Sequence, residues 1–308
     1  MANSLGTTNG ALVLQRVLPT LLARFPLLSQ ITTNFTSDAM DPLFNQTVYS
    51  RVVVASTASD YSTSTGYVAT DRTTVDVPVV IDQHKHHTIA VNDQERSSTN
   101  RNLIEEMGDT AAHALGTAVM TTLFGKILAA AYDQAYNVTA PNFDRSHLVA
   151  IDTAMANLNI PDQDRFMVLH PSWYGNLNLD TLIVSNQVNP SSTAVESGKL
   201  SAVQGFNISR YSALPSNSEN LAGIAGVKDA LVIASRVPVI PSGDVMIPGN
   251  IISATDERTG LTIQLRDWYD IKLGTQSRTI TLMYGCAVGY SQTGSISRRL
   301  IRIVNANP

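Results

Sequence analysis

Hydrophobic and polar residues repeat with changing periods along the chain, and these changes divide it into segments. Leucines and valines recur at helical spacing between Ala11 and Leu28, and two prolines interrupt the run, which predicts a short, bent amphipathic helix. Two interpretations of this helix stay open: it packs on its own domain, or it docks on a neighbouring subunit. We expect residues 1–46 to form an N-terminal arm.

A long β-hairpin follows the arm. Residues 48–54 are typical of one strand, and in residues 75–82 a valine or isoleucine stands at every second position, as in a second strand. The tip between them, Ser56 to Thr70, is rich in Ser, Thr, Gly and Asp, and we expect it to bury nothing. Pro78 lacks a backbone donor and predicts an edge position. Because such a hairpin is marginal alone in water, it needs a surface to lie on.

The strongest helical pattern comes next. It begins near Ser97, Ser98 or Thr99, any of which can cap a helix, and continues to about Tyr132, so the helix would approach ~50 Å. Many Ala and Gly residues along it allow other backbones to approach closely. One face repeats polar residues at every fourth position: Glu105, Asp109, His113, Thr117 and Thr121. Another face is apolar and holds Ile104, Met107, Ala111, Leu115 and Ala118.

The remainder of the chain changes to shorter units beyond a polar boundary near Asn137 to Arg145. The patterns predict helices at 146–158 and after Pro171, and strands at 165–169, 206–211 and 231–235. In the last sixty residues, Leu261, Ile263 and Leu265 alternate with polar residues, and so do Ile280 and Leu282, which indicates β-strands. The fold class is therefore α+β.

Composition adds one unusual quantity, the low charge. Only 15% of the 308 residues are charged, against about 25% in an ordinary soluble domain, while 44% are hydrophobic and the mean hydropathy is +0.02. Low charge indicates either solvated surfaces of neutral polar residues or faces covered by other subunits. The second alternative arises because the cores of interfaces are depleted in charge. The net charge of −4 excludes the broad basic patch of a dedicated duplex-DNA binder.

Neither apolar stretch of the chain predicts a membrane span. Residues 11–28 are interrupted by prolines and arginines, and residues 111–131 carry His113 and Lys126. The single cysteine, Cys286, excludes an internal disulfide and a thiolate zinc site, and we interpret it as a small buried hydrophobe.

Histidines are the first candidates for chemistry. On a strand, His84 and His86 share a face and could bind a metal with Asp82 or Asp93, but Lys85 lies between them and solvated strand histidines are favoured. His170 stands at a strand end before a proline, and no G-x-S-x-G turn supplies a hydrolase nucleophile, so a structural histidine is favoured there too.

Acidic and basic clusters give no stronger signal. Asp152, Asp162 and Asp164 could form a carboxylate cluster, but a helix cap and a solvated loop explain them better. Arginines 298, 299 and 302 could meet phosphates, although ion pairs or intersubunit contacts are commoner in an acidic chain. We therefore predict no catalytic, cofactor-binding or metal-binding residues, and no enzyme.

The order of elements resembles that of tailed-bacteriophage major capsid proteins of the Hong Kong ninety-seven type. Six stretches between residues 75 and 290 carry the resemblance, and with the order of elements it extends over nearly the whole chain. They are VDVPVVIDQHKHHTIAVNDQE (75–95), FMVLHPSWYGNL (166–177), GKLSAVQGFNISRYSALP (198–215), KDALVIAS (228–235), and the pair TGLTIQLRDWYDIK (259–272) and ITLMYGCAVGY (280–290).

The resemblance implies a phage capsid fold whose parts follow one another along the chain. These are an N-terminal arm (1–46), an extended-loop hairpin (47–82), a peripheral domain with a long spine helix (83–137), an axial α/β domain (138–255), and strands returning to the peripheral domain (256–308). We expect intersubunit contacts at Arg51, Arg72, Asp76, Glu105, Asp109, Arg298 and Arg299.

The resemblance also implies a structural function. The chain would assemble into hexamers and pentamers of an icosahedral shell around double-stranded DNA, in a virion built in the host cytoplasm. Its partners would be further copies of itself, a separate scaffolding protein, a portal and a decoration protein, with weak contacts to DNA and none to membranes. No lysine precedes Lys85, so the covalent Lys–Asn cross-link of the type member cannot form from this hairpin.

Two alternatives remain beside this prediction. An encapsulin-like nanocompartment would share the fold but hold cargo in place of a genome. A metal enzyme or hydrolase using His84, His86 or His170 would belong to a different class of protein.

Overall fold

The structure is a computed structural model. It describes residues 14, 17–31, 45–53, 58–68, 74–98, 103–180, 183, 200, 202–238, 250–256, 260–289 and 299–306. In the described residues, two large sheets, a two-stranded ribbon and the helices that pack on them form an α+β fold. Residues 17–24 are helical (α1).

The other helices are α2 Leu28–Ile31, α3 Asp93–Ser98, α4 Leu103–Gly125, α5 Arg145–Asn157 and α6 Pro171–Leu179, with 3₁₀ turns at Ala140–Asn142 and Lys228–Ala230. The strands are β1 Thr47–Val53, β2 Thr74–Val80, β3 Gln83–Asn92, β4 Ala135–Val138, β5 Arg165–Leu169, β6 Ala202–Val203, β7 Phe206–Arg210, β8 Leu221–Val227, β9 Leu231–Arg236, β10 Asn250–Thr255, β11 Thr262–Asp270, β12 Thr275–Val288 and β13 Leu300–Asn305.

A five-stranded antiparallel sheet carries the main core. Its order is β10-β11-β12-β3, and β9 pairs with the second half of β12. Alternate side chains of β11 and β12 point to one face, where Ile263, Leu265, Ile280 and Leu282 are buried in the same cluster as α4. The predicted β pattern near the end of the chain is confirmed.

Helix α4 is shorter than its pattern predicts. It spans 23 residues, or about 35 Å, and ends at Gly125 well before Tyr132. The side-chain amide of Asn217 donates to the backbone carbonyls of Phe124 at 2.9 Å and Ile127 at 2.6 Å. Carbonyl groups at the end of the helix, which lack partners within it, are therefore bound by a residue from elsewhere in the chain. Two of the predicted caps, Ser97 and Ser98, lie in α3, and Thr99 lies outside the described residues.

The N-terminal helix packs on its own chain. Val17, Leu21, Phe25 and Leu28 are buried in the core that also holds α4. The ring of Phe25 occupies the space that a side chain on Gly116 would need, which confirms that small residues let another element approach α4. Of the two interpretations of this helix, docking on a neighbour is therefore wrong for the described residues, because its leucines are covered by the chain itself. Residues 1–13 and 32–44 lie outside the description.

A six-stranded mixed sheet forms the second unit, in the order β4-β13-β8-β5-β7-β6. Helices α5 and α6 pack on it around a second core. The predicted strand 165–169 is confirmed at both ends, and helix α5 lies within one residue of its predicted bounds.

Four strands belong to a different sheet from the one suggested by their place in the sequence. Strand β4 begins in the predicted peripheral segment, yet it lies at the edge of the six-stranded sheet. Strands β9 and β10 fall in the predicted axial segment, yet they pair with β12 and β11 in the five-stranded sheet. The last strand, β13, falls in the predicted return segment, yet it pairs with β4 and β8 in the six-stranded sheet. Local periodicity predicts a strand but carries no information about its partner.

Buried Arg302 ties β13 to the rest of the molecule. Its Nε donates to the carbonyl of Tyr132 at 2.7 Å, and its guanidinium forms an ion pair with Glu219. This arginine is therefore a structural ion-pair partner within the chain.

Among the described residues, no helix is long and apolar enough to cross a membrane.

Candidate assembly surface

The predicted hairpin is confirmed as an antiparallel pair of β1 and β2. Thr47 lies opposite Val80, and Pro78 lies opposite Tyr49 in a two-stranded ribbon, where both strands are edges. The amide of Asn45 donates to the carbonyl of Ile81 at 2.9 Å, which closes the base of the ribbon.

The base of the hairpin lies on its own chain. Side chains of β1 and β2 form a third core with residues of β9 and β12; its members are Val48, Val77, Val79, Ile81, Val232, Ala234 and Met283. The surface that such a hairpin needs is therefore supplied at the base by the five-stranded sheet. The carbonyl of Val80 reaches the sheet at Gly285, where any side chain would collide with it.

The tip is a small separate turn with exposed aromatic rings. The amide of Gly66 donates to the carbonyl of Ser62 at 2.7 Å, and Gly66 adopts a φ of +67° that favours glycine. The rings of Tyr61 and Tyr67 lie 4.9 Å apart, with 59% and 94% of these residues exposed. The described tip residues bury nothing in this chain, as expected, but that expectation passed over Tyr61, Tyr67 and Val68, which hold apolar groups in solvent. Two aromatic residues among Ser and Thr were the feature of the sequence that could have indicated this site.

The turn between β11 and β12 is a second exposed apolar site. Ile271 is 86% exposed and Leu273 is 74% exposed. The carboxylate of Asp270 accepts hydrogen bonds from the amides of Lys272 at 2.9 Å and Leu273 at 3.4 Å, which fixes the turn. The hydroxyl of Tyr269 donates to Asp93 at 2.8 Å and ties the turn to α3. Sequence reasoning missed this site, although two aliphatic residues flanking a lysine in a turn could have indicated it.

The residues predicted at intersubunit contacts are scattered over several elements. Arg51 lies opposite Asp76 in the hairpin register. Glu105 and Asp109 lie one turn apart on α4, and Asp109 is partly buried. The structure thus brings Arg51 and Asp76 into one pair of strands, while the two acidic residues belong to another element.

Two further predicted contact residues, Arg72 and Arg298, lie outside the described part of the chain. Arg299 lies immediately before β13 with a φ of +59°, and its guanidinium is 3.2 Å from the exposed carboxylate of Asp229.

His84 and His86 share one face of the edge strand β3, and His87 lies on the other face. His84 Nε2 lies 2.7 Å from the hydroxyl of Thr281, and burial, together with the charges of Arg266 and His86, lowers the pKa of His84. Asp93 is about 30 Å from His84 along the strand, so it cannot be a third ligand beside it. In the described part of the chain, no three His, Cys, Asp or Glu side chains are grouped to hold a metal ion.

His170 has a structural position, as predicted. It caps the N-terminus of α6, where its ring accepts a hydrogen bond from the amide of Ser172 at 3.4 Å and stands edge-on to Trp173.

A serine, a histidine and an aspartate meet at the start of α5, and their geometry is that of a helix cap. Asp144 Oδ1 accepts from the Ser146 hydroxyl at 2.6 Å and lies 2.7 Å from His147 Nδ1. These hydrogen bonds, that of Ser146 first, lower the pKa of Asp144 to about 2. A nucleophilic serine would have to face the other ring nitrogen, Nε2, so the arrangement lacks the geometry for hydrolysis.

Two other predictions about individual residues can be judged. Asp152 lies inside α5 and forms an ion pair with buried Arg165, so it is not a cap. Asp162 lies in an exposed loop, as predicted, and also pairs with Arg165. Cys286 is a buried hydrophobe as predicted, and burial raises the pKa of its thiol to about 12.

Solved structures provide the comparison with known proteins. The chain aligns with the capsid structure of the cyanophage P-SCSP1u at a TM-score of 0.59 and 14% identity, covering 91% of this chain and 87% of that chain. It aligns with the capsid of Ralstonia phage GP4 at a TM-score of 0.56 and 10% identity, covering 91% and 88%. A chain of Mycobacterium phage Che8 gives 0.54 and 14%, covering 88% and 91%. No protein-family model and no curated protein matches the sequence.

The chain has the α+β fold of these phage capsid structures, and the predicted fold class is confirmed. At 10–14% identity across these structures the likeness concerns the backbone, so the roles of individual side chains have to be argued from this chain alone.

Proposed function

We propose that this protein is a major capsid protein of a tailed bacteriophage, of the Hong Kong ninety-seven type, which assembles into hexamers and pentamers of an icosahedral shell enclosing double-stranded DNA. The observation that carries the proposal is the likeness in fold to phage capsid structures over 91% of the chain. The exposed tip and turn support it, since exposed apolar groups on a folded chain mark contact sites.

In this proposal the β1–β2 hairpin is the extended loop, rooted on its own sheet and lying over a neighbouring subunit beyond the base. Helix α4 and the five-stranded sheet form the peripheral domain, and α4 is the spine helix. The six-stranded sheet with α5 and α6 is the axial domain. The arm (1–46), hairpin (47–82), peripheral (83–137, 256–308) and axial (138–255) segments describe this division along the chain. Strands β4, β9, β10 and β13 cross it.

The charged residues predicted at contacts keep that role in the proposal. Arg51, Arg72 and Asp76 belong to the hairpin segment and would meet the subunit beneath it. Glu105 and Asp109 on α4, and Arg298 and Arg299 before β13, would form polar contacts at other edges of the subunit. Low overall charge is consistent with extensive contacts of this kind.

Partners and location follow from the same role. A separate scaffolding protein would guide assembly, a portal would occupy one vertex, and a decoration protein would reinforce a shell that lacks the Lys–Asn cross-link. The net charge of −4 suits weak, non-specific contact with packed DNA. Assembly would take place in the host cytoplasm, and the mature protein would reside in the virion.

Electron microscopy of the expressed protein tests the proposal. The protein is produced alone and with the scaffolding protein encoded beside it, and particles are examined by negative staining. Closed shells, capsomers or tubes are the expected result. A protein that stays monomeric under every assembly condition contradicts the proposal. Shells that package a cargo enzyme and never a genome would identify an encapsulin-like compartment.

A further inference from the structure

The face of the five-stranded sheet that points away from α4 carries histidine, arginine and hydroxyl side chains. Residues directly opposite one another in paired strands point to the same face, and so do residues two apart along a strand. The register across β3, β12 and β11 therefore places seven polar residues on this face, here called the cationic face. They are His84, His86, Thr88, Thr279, Thr281, Gln264 and Arg266.

Two cationic side chains converge on one pair of residues in this face. The Nε2 atom of His84 lies 2.7 Å from the hydroxyl of Thr281, and Nε of Arg266 donates to Oε1 of Gln264 at 2.9 Å. Thr281 and Gln264 are directly opposite each other in the register, and both are buried. An imidazole and a guanidinium are therefore held over adjacent positions of the sheet.

Two more basic residues border this pair. His86 lies opposite Thr281. Arg236 lies opposite Met283 on the β9 side of β12, and His84 lies opposite Met283 on the β3 side. The basic residues thus lie on three different strands that flank β12.

No acidic side chain of the described residues neutralises this group. Arg236 and Arg266 are half-buried and form no ion pair in the described part of the chain. Burial lowers the pKa of His84, and the charged groups that lower it further are Arg266 and His86. Because the whole chain has a net charge of −4, this local excess of positive charge is not a property of the surface in general.

The hairpin covers the neighbouring part of the same sheet face and brings apolar groups to it. Met283 belongs to the small core beneath the hairpin, to which β1 and β2 contribute valines. Beyond that core, His84 and His86 are exposed. The cationic face is therefore open to a ligand from solvent.

We propose that the cationic face binds a phosphate group, held by the guanidinium of Arg266 and by His84 and His86 in their protonated forms. A guanidinium presents its donors in a planar fork that matches the oxygens of phosphate. An imidazolium adds a positive charge and a second N–H donor. The site lies within one copy of the chain, so this inference goes beyond the proposed assembly and does not depend on it.

The hydrogen bonds of Thr281 identify the nitrogen of His84 that faces the ligand. The hydroxyl of Thr281 donates to the carbonyl of Lys85 at 3.3 Å, so Nε2 of His84 donates to that hydroxyl. Nδ1 is then the nitrogen that takes up a proton and donates to phosphate. Binding should strengthen as the pH falls, because the anion favours the protonated ring.

A metal ion on His84 and His86 is the competing ligand. The positive charges of Arg236 and Arg266 on the same face would repel it. One nitrogen of His84 is already engaged by Thr281. The surroundings of the two histidines therefore favour an anion.

NMR titration of unassembled subunits with sodium sulfate tests the site. Sulfate has the shape of phosphate, and its charge stays constant between pH 6 and pH 8. The ring signals of His84 and His86 should shift at pH 6, and sulfate should raise the pKa of both rings. The affinity should fall at least about fivefold at pH 8, where the histidines lose their charge.

Substitutions separate the two kinds of donor. Arg266→Gln should lower the sulfate affinity roughly two- to fivefold at both pH values, the range for one exposed charge contact, and Arg266→Lys should restore part of it. His84→Gln combined with His86→Gln should abolish the dependence on pH. His87→Gln is the matched control, because His87 lies on the opposite face of the same strand. An unchanged pH dependence in the double variant, or an equal loss in His87→Gln, overturns the proposal.

Competition against sulfate identifies the source of the phosphate group. Displacement by a short DNA duplex assigns the site to the phosphates of nucleic acid, and displacement by inorganic phosphate alone assigns it to the free ion. Displacement by neither overturns the proposal, as does tighter binding of zinc than of sulfate at His84 and His86. Chains that never form shells can still pass this test, so its failure and that of the proposed function are distinguishable.

Discussion

The carbonyl of Val80 rests directly on Gly285, in the space that a side chain at this position would fill. Strand β2 ends at this contact, and buried Val79 and Ile81 on either side of Val80 fill the small core beneath the hairpin. The direction of the hairpin is therefore set where its backbone meets a glycine of β12.

Replacing Gly285 with alanine should destabilise the protein by about 1–3 kcal/mol, the usual cost of forcing a methyl group into a filled space. Denaturant unfolding measures this free energy. Gly125→Ala is the control, because nothing lies near that position and alanine favours the helix. If both variants unfold at the denaturant concentration of the parent, the hairpin is not seated as described.

Removing the tip should separate folding from assembly. Replacing residues 58–68 by a short glycine linker should leave the free energy of unfolding within about 0.5 kcal/mol of the original, since the tip contributes nothing to the three described cores. Particle yield should fall sharply in electron micrographs. Thr63→Ala with Thr65→Ala retains both tyrosines and should assemble normally. Normal shells from the deleted chain would show that the hairpin tip is not a contact.

The carboxylate of Asp144, which caps α5, should remain ionised to low pH. The pKa of Asp144 is lowered to about 2, so its carboxylate stabilises the helix above about pH 4, and this contribution is lost as the pH falls through 2. NMR titration of the carboxyl carbon measures the pKa. Ser146→Ala removes the first of the hydrogen bonds and should raise the pKa towards 3.8. Thr153→Ala, on the same helix but bonded to Val149, should leave it unchanged.

Cys286 should be unreactive in the folded protein. Burial raises the pKa of its thiol to about 12, and the thiolate is the reactive form. At pH 8 a disulfide reagent should label less than a few per cent of the native protein and one thiol per chain after denaturation. Rapid labelling of the native protein would mean that β12 opens at this point.

Much of the fold could be predicted because the elements are local. Strand 165–169, helix α5 and the β1–β2 pair follow from the period of hydrophobic residues and from turn residues, and the structure agrees within a residue or two. The order of these elements indicated a capsid fold. The assembly surface was only partly predicted, since the tip tyrosines and the β11–β12 turn carry exposed apolar groups that a search for charged contact residues passes over.

The sequence alone determined where most of the described helices and strands lie, and that a chain with one cysteine forms no internal disulfide. Tertiary structure decided how those elements meet. Asn217 binds the carbonyls at the end of α4, Arg302 reaches Tyr132, and β13 pairs with β8, although each pair is distant along the chain. Such contacts depend on which surfaces pack together, and the period of hydrophobic residues is a local property that cannot encode them.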